Sequence, residues 1–126
     1  MAEFKSESVA RDELRIILGL PNPPTKIAGV GQQETFKYLG FNDKTINSLK
    51  PDGWYLPKNK KEVAIICETK NSNESCETNC SQLEKYIDVV LTKYKKVIGI
   101  IYNGYDVIVY KNKERIECKN ELFPLE

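Results

Sequence analysis

Both faces of the segment Val63-Ala64-Ile65-Ile66-Cys67 are apolar, and the segment runs straight into Glu68-Thr69-Lys70. Side chains alternate faces along a strand, so Ala64, Ile66, Glu68 and Lys70 share one side while Val63, Ile65 and Cys67 line the other. A strand that is apolar on both faces is covered on both, which makes this the central strand of a mixed α/β sheet. The carboxylate and ammonium at its end then sit on the rim of a core. Asp52, in Pro51-Asp52-Gly53, reaches the same rim from the strand before.

The remaining elements follow from periodicity and punctuation. Residues 6–18 read as an amphipathic helix with Ser6 or Ser8 as N-cap, Val9, Leu14, Ile17 and Leu18 as its apolar stripe, and Gly19 as its stop. Prolines 21, 23 and 24 keep the following loop, 19–31, extended. A second helix is expected at 32–39, closed by Gly40 with Phe41 packing back, followed by a short turn capped by Asn42 or Asp43. Residues 52–56 and 62–69 read as an antiparallel hairpin around Asn59-Lys60-Lys61. The polar, Ser/Asn-rich stretch 71–79 reads as a mobile loop, ordered by DNA or a partner. A helix at 81–95 carries Leu83, Ile87, Val90 or Leu91, and Tyr94 as its core stripe. Val97–Tyr102 is a strand, Asn103-Gly104 a hairpin turn, residues 106–110 its partner, and 114–118 an edge strand. The expected architecture is one domain over residues 1–126, with a central mixed sheet of four to five strands flanked by helices.

With 126 residues, 40% apolar and 29% charged, the chain is long enough for a core without staples. No apolar run approaches the roughly 18 residues of a membrane span, and Met1-Ala2-Glu3-Phe4-Lys5 lacks the apolar core of a signal peptide, so a cytoplasmic protein is expected. The net charge of +1 hides a basic stretch between Lys93 and Lys119 that is able to face phosphates. Cys76 and Cys80 invite a zinc reading. There is no histidine, however, and a structural zinc site takes four ligands, so free thiols are expected.

Asp52 and Glu68 on adjacent strands bring two carboxylates together. At about 4 Å they repel by roughly 4 kcal/mol at an effective dielectric near 20, and a hard divalent cation such as Mg²⁺ is the natural offset. Lys70 beside them is placed to orient water or stabilise charge on phosphorus. Metal, water and cation facing one phosphate is an arrangement for phosphodiester hydrolysis. On spacing alone, a salt bridge between Lys70 and either acid is the alternative.

Pro51-Asp52, then Glu68-Thr69-Lys70 after an apolar strand, resembles the signature of the PD-(D/E)XK nuclease superfamily. Gln82-Leu83-Glu84-Lys85-Tyr86 resembles the Gln-x3-Tyr motif of one branch, which holds the N-terminal nuclease domains of type I restriction enzyme motor (R) subunits and the RecB-like exonucleases. Tyr102-Asn103-Gly104 resembles the hairpin of the R-subunit domains. The resemblance implies a restriction-endonuclease-like fold. It also implies Asp52 and Glu68 as ligands of Mg²⁺ (or Mn²⁺), Lys70 as the catalytic lysine, and Gln82 and Tyr86 as its supports and DNA contacts. Many members add an acid from an upstream helix; Glu34 fits best and Glu13 is the rival. The implied partners are double-stranded DNA, a helicase motor domain and other restriction-modification subunits. No phosphate-binding Gly-x4-Gly-Lys-Ser/Thr occurs, so the chain is expected to be an excised domain or a stand-alone nuclease. The leading expectation is a Mg²⁺-dependent DNA endonuclease domain of a type I restriction system. The alternatives are a non-catalytic DNA-binding or assembly module on the same fold, and a stand-alone RecB-like exonuclease or resolvase.

Overall fold

The computed structural model describes residues 3–31 and 34–116. In chain order the elements are α1 (Glu7–Leu18), β1 (Ala28–Val30), β2 (Gly53–Tyr55), β3 (Ala64–Thr69), α2 (Cys80–Val90), β4 (Val97–Tyr102), β5 (Val107–Lys111) and β6 (Glu114–Ile116). The strands form a single six-stranded sheet in the order β1-β2-β3-β4-β5-β6, one or two strands more than expected. Every neighbouring pair is antiparallel except β3 and β4, which run parallel with α2 as the crossover. The fold is therefore α+β with a mixed sheet.

The two apolar faces of β3 divide the core. Ala64 and Ile66 join Trp54, Leu83, Ile87, Val90, Val97 and Ile101 beneath α2. Cys67 joins Leu14 and Ile100 beneath α1, with Ile65 and Ile98 packed against them. Helix α2 lies close on β4 because Gly99 has no side chain: a Cβ there would come within 2.5 Å of Ile87 Cδ1. The helix is shorter than expected, closing at Val90. Tyr94 still reaches the core from beyond it, donating its hydroxyl hydrogen bond to Pro57 O at 2.7 Å.

Helix α1 begins where Ser6 accepts a hydrogen bond from Val9 N, and it stops at Gly19, whose φ of 70° favours glycine. Its buried row is Ala10 and Leu14, with Leu18 packed partly behind them. Val9, Ile16 and Ile17 are exposed. The expected stripe was thus rotated by about a residue, because only one i, i+4 row fits the short face presented by β3 and β4.

The helix expected at 32–39 is not formed among the described residues; Gln32 and Gln33 lie outside them. Residues 36–40 are a single hydrogen-bonded turn, with Leu39 N on Thr35 O and Phe41 N on Phe36 O. The helix-ending chemistry read at Gly40 and Phe41 is present without a helix body. Phe36 N bonds Leu49 O instead, and the rings of Phe36 and Phe41 meet edge to face at 5.9 Å in the core. Strand β1 forms in the stretch read as loop. It is held by pairing with β2, and Trp54 Nε1 donates to Thr25 O at 2.9 Å behind it.

The loop between Lys70 and α2 is fastened at several points. Ser72 N donates to Lys5 O and Lys5 N to Ser72 Oγ, Asn103 Nδ2 donates to Glu74 O, and Cys76 is buried with its thiol toward Ile101 O and Asp106 O. Cys67, Cys76 and Cys80 are free thiols; Cys118 and the end of the expected edge strand lie outside the described residues. No described helix is long and apolar enough to cross a membrane.

Candidate nuclease-type site

The antiparallel register of β2 and β3 decides the position of the two acids. Gly53 pairs with Cys67, so one step further along the same register sets Asp52 opposite Glu68 on the same face. Asp52 N donates to Cys67 O at 3.1 Å, and Asp52 Oδ2 accepts the backbone N–H of Thr69 at 2.8 Å. Both residues are only 3% exposed. Burial, the charge of Asp52 and a side-chain hydrogen bond to it push Glu68 up to about 9, while Lys70 pulls the other way. At neutral pH and without a cation, Glu68 therefore holds a proton on Asp52. The pair avoids the repulsion of two buried anions by sharing a proton.

Lys70 lies on the same side, with Nζ 3.8 Å from Glu68 Oε2 and its backbone N–H on Tyr102 O. At 18% side-chain exposure, the ammonium is the group in this cluster that meets solvent. The cluster also holds a hydroxyl. Tyr86 is buried to 1%, its ring tilted against Phe36 at 4.7 Å, and its hydroxyl accepts from Gln82 Nε2 at 2.6 Å. Burial and then the charges of Glu68 and Asp52 raise the phenol to about 12. Tyr86 lies on the buried face of α2 with Leu83, Ile87 and Val90, and its hydroxyl is near enough to Glu68 and Asp52 for their charges to act on it.

The upstream acid is where the structure departs most from the expectation. Glu34 sits ahead of the 36–40 turn, on no helix, and the charges acting on Glu68 are Asp52, Lys70 and Glu7. Glu13, the rival, is on α1 but turned to the β4–β5 turn, where Lys5 Nζ (2.9 Å) and Tyr102 OH (2.8 Å) bond it. Those hydrogen bonds hold Glu13 below the ordinary range although burial acts against them. Glu7, in the first turn of α1, is instead raised by partial burial and by Asp52, with Lys70 and Arg11 opposing. Its carboxylate lies 3.5 Å from Arg11 Nη2. The reciprocal bonds between Lys5 and Ser72 aim the start of α1 at the end of β3. This pairing spans 67 residues and has no local sequence signal.

The metal set of Asp52, Glu68 and Glu34 is therefore not assembled. Among the described residues, no group of three or more His, Cys, Asp or Glu is placed to hold a metal ion. Two buried hard-oxygen donors remain, which fits a cation such as Mg²⁺ that takes one or two carboxylates and keeps its waters. Asn103 is part of the surrounding scaffold. Its Oδ1 accepts from Tyr105 N and Asp106 N, turning β4 into β5 beside Lys70. No family model, curated protein or solved structure matches the chain.

Proposed function

We propose that the chain is a Mg²⁺-dependent DNA endonuclease domain of restriction type, with a restriction-endonuclease-like arrangement around β3. The observation that carries this reading is the buried acid pair Asp52 and Glu68, set opposite each other by the β2–β3 register and facing Lys70 at the end of a doubly covered strand. A structural salt bridge needs one acid, and here a second buried acid stands opposite the first on the same face. Asp52 and Glu68 would hold a divalent cation. When bound, the cation would polarise the scissile phosphate and lower the pKa of a water.

The chain's own residues supply the rest. The backbone N–H of Thr69 fixes the orientation of Asp52, and Glu68 opposite it would be the second ligand in its deprotonated form. Lys70 orients the attacking water and stabilises the charge that builds on the phosphoryl oxygens. Tyr86, steered by Gln82, closes the inner wall of the site. Glu7, partly buried at the start of α1 and close enough to Asp52 and Lys70 to feel their charges, would serve as the upstream acid. The partners that follow are double-stranded DNA, and a motor domain with restriction-modification subunits to deliver it.

The test is conversion of supercoiled plasmid in Mg²⁺ or Mn²⁺. Cleavage of a closed circle is expected, which an exonuclease cannot perform. Asp52→Asn and Lys70→Ala should each lower it by about 10² or more. Cleavage that survives both substitutions overturns the assignment.

A further inference from the structure

The end of the sheet opposite Asp52 and Glu68 gathers loops from three hairpins or crossovers. The β2–β3 loop carries Lys58, Lys60 and Lys61. The segment entering β4 carries Lys93, Lys95 and Lys96, and the β5–β6 turn brings Lys111 and Lys113. The register fixes this convergence. Ala64 pairs with Val97 and Ile98 with Lys111, while Ala64 N bonds Lys96 O and Asn112 N bonds Val97 O. All eight lysines are exposed, against Glu62, Asp88 and Glu114 nearby. Lys113 is paired with Asp88 at 3.0 Å, and Lys60 and Lys93 are held over the rings of Tyr94 and Phe41. The six residues of β3 separate this basic end from the carboxyl pair by about 17 Å.

We infer that this lysine-rich end is a second polyanion-binding surface, which takes the phosphate backbone of nucleic acid without metal and without sequence choice. The reading does not rest on the nuclease assignment. Its composition favours a nucleic-acid backbone over an acidic protein. Protein interfaces are depleted in Lys and built on aromatic, Met and Arg anchors. Here the charges are Lys point charges on flexible stems, and the exposed large apolar side chain among them is Val63. The site end sets Lys70 beside the buried acids Asp52 and Glu68 and, among the described residues, offers no comparable group of exposed lysines. The lysine end attracts a phosphate backbone at all times.

The experiment is fluorescence anisotropy of a labelled 20-base-pair duplex in EDTA, from 50 to 200 mM salt. Wild type is compared with Lys58→Gln/Lys61→Gln/Lys95→Gln/Lys96→Gln and with Asp52→Asn/Glu68→Gln. The lysine variant should bind at least about tenfold more weakly at 50 mM salt. Its slope of log K against log salt should be shallower by up to about 3.6, since each of the four lost phosphate contacts removes about 0.9. The acid variant should bind at least as tightly as wild type. Circular dichroism of the lysine variant should be unchanged, because all four positions are exposed. An unaltered slope in the lysine variant overturns the inference. So does displacement of the duplex by polyglutamate or phosphatidylserine vesicles as effective as by unlabelled duplex of equal charge. Cleavage and metal binding play no part in this readout, so its failure leaves the nuclease reading standing, and the reverse.

Discussion

Replacing Glu68 by Gln removes the proton that the carboxyl pair shares, while leaving an N–H to donate to Asp52. In the folded, metal-free protein Glu68 is raised to about 9 from 4.5, chiefly by burial and by Asp52. Below pH 4.5 the folded and unfolded chains both hold this proton and the group makes no difference to stability. Above it, the unfolded chain releases the proton and the folded chain keeps it, so stability is lost steadily as pH rises toward 9. At pH 7 the loss is about 2.5 units at 1.36 kcal/mol each, on the order of 3 kcal/mol. Urea unfolding in EDTA at pH 5, 7 and 8.5 reads this directly. The Gln variant should gain on wild type as pH rises, by about 4 kcal/mol between pH 5 and pH 8.5. Parallel pH profiles for the two proteins, or a wild type that gains on the variant with rising pH, would refute the shared proton.

Three further outcomes are expected. Tyr86→Phe keeps the ring against Phe36 and should change stability by no more than about 1 kcal/mol, while plasmid cleavage falls; a drop in stability alone would make Tyr86 a core residue only. Trp54→Ala should lose about 3–5 kcal/mol in urea unfolding, because it empties the centre of the core beneath α2 and frees Thr25 O. Glu7→Gln should lower cleavage more than Glu34→Gln, with equal effects returning the upstream acid to doubt.

The sequence made the centre of the fold legible and left its periphery unread, for identifiable reasons. Strand β3, the β2–β3 hairpin, α2 and the β4–β5 turn at Asn103-Gly104 are written in local pattern: apolar runs of strand length, a 3.6-residue stripe, and turn residues at fixed offsets. The placement of Asp52 opposite Glu68 followed from the same hairpin. Strand β1 has three residues, one of them Gly29, and owes its existence to β2 rather than to its own propensity. The 32–39 helix was inferred from its stop signal, and that signal serves equally well to end a single turn. Helix α1 was found but rotated, since Ala10 gives little apolar signal and Ile16 and Ile17 give too much. Glu7 was missed because Lys5 and Ser72 set the direction of the helix start through a contact far along the chain. The basic stretch was seen as a run in sequence. The sheet register shows that its described lysines, from Lys93 to Lys113, gather with the β2–β3 lysines at the end remote from the acids.

Calorimetric titration of the apo protein with Mn²⁺ at pH 7.5 bears most directly on the pair at the centre of this account. One site is expected, with proton release into the buffer as Glu68 gives up its proton, and the site should be lost in both Asp52→Asn and Glu68→Gln. The absence of a Mn²⁺ site in wild type, or a site that persists in both variants, would contradict it.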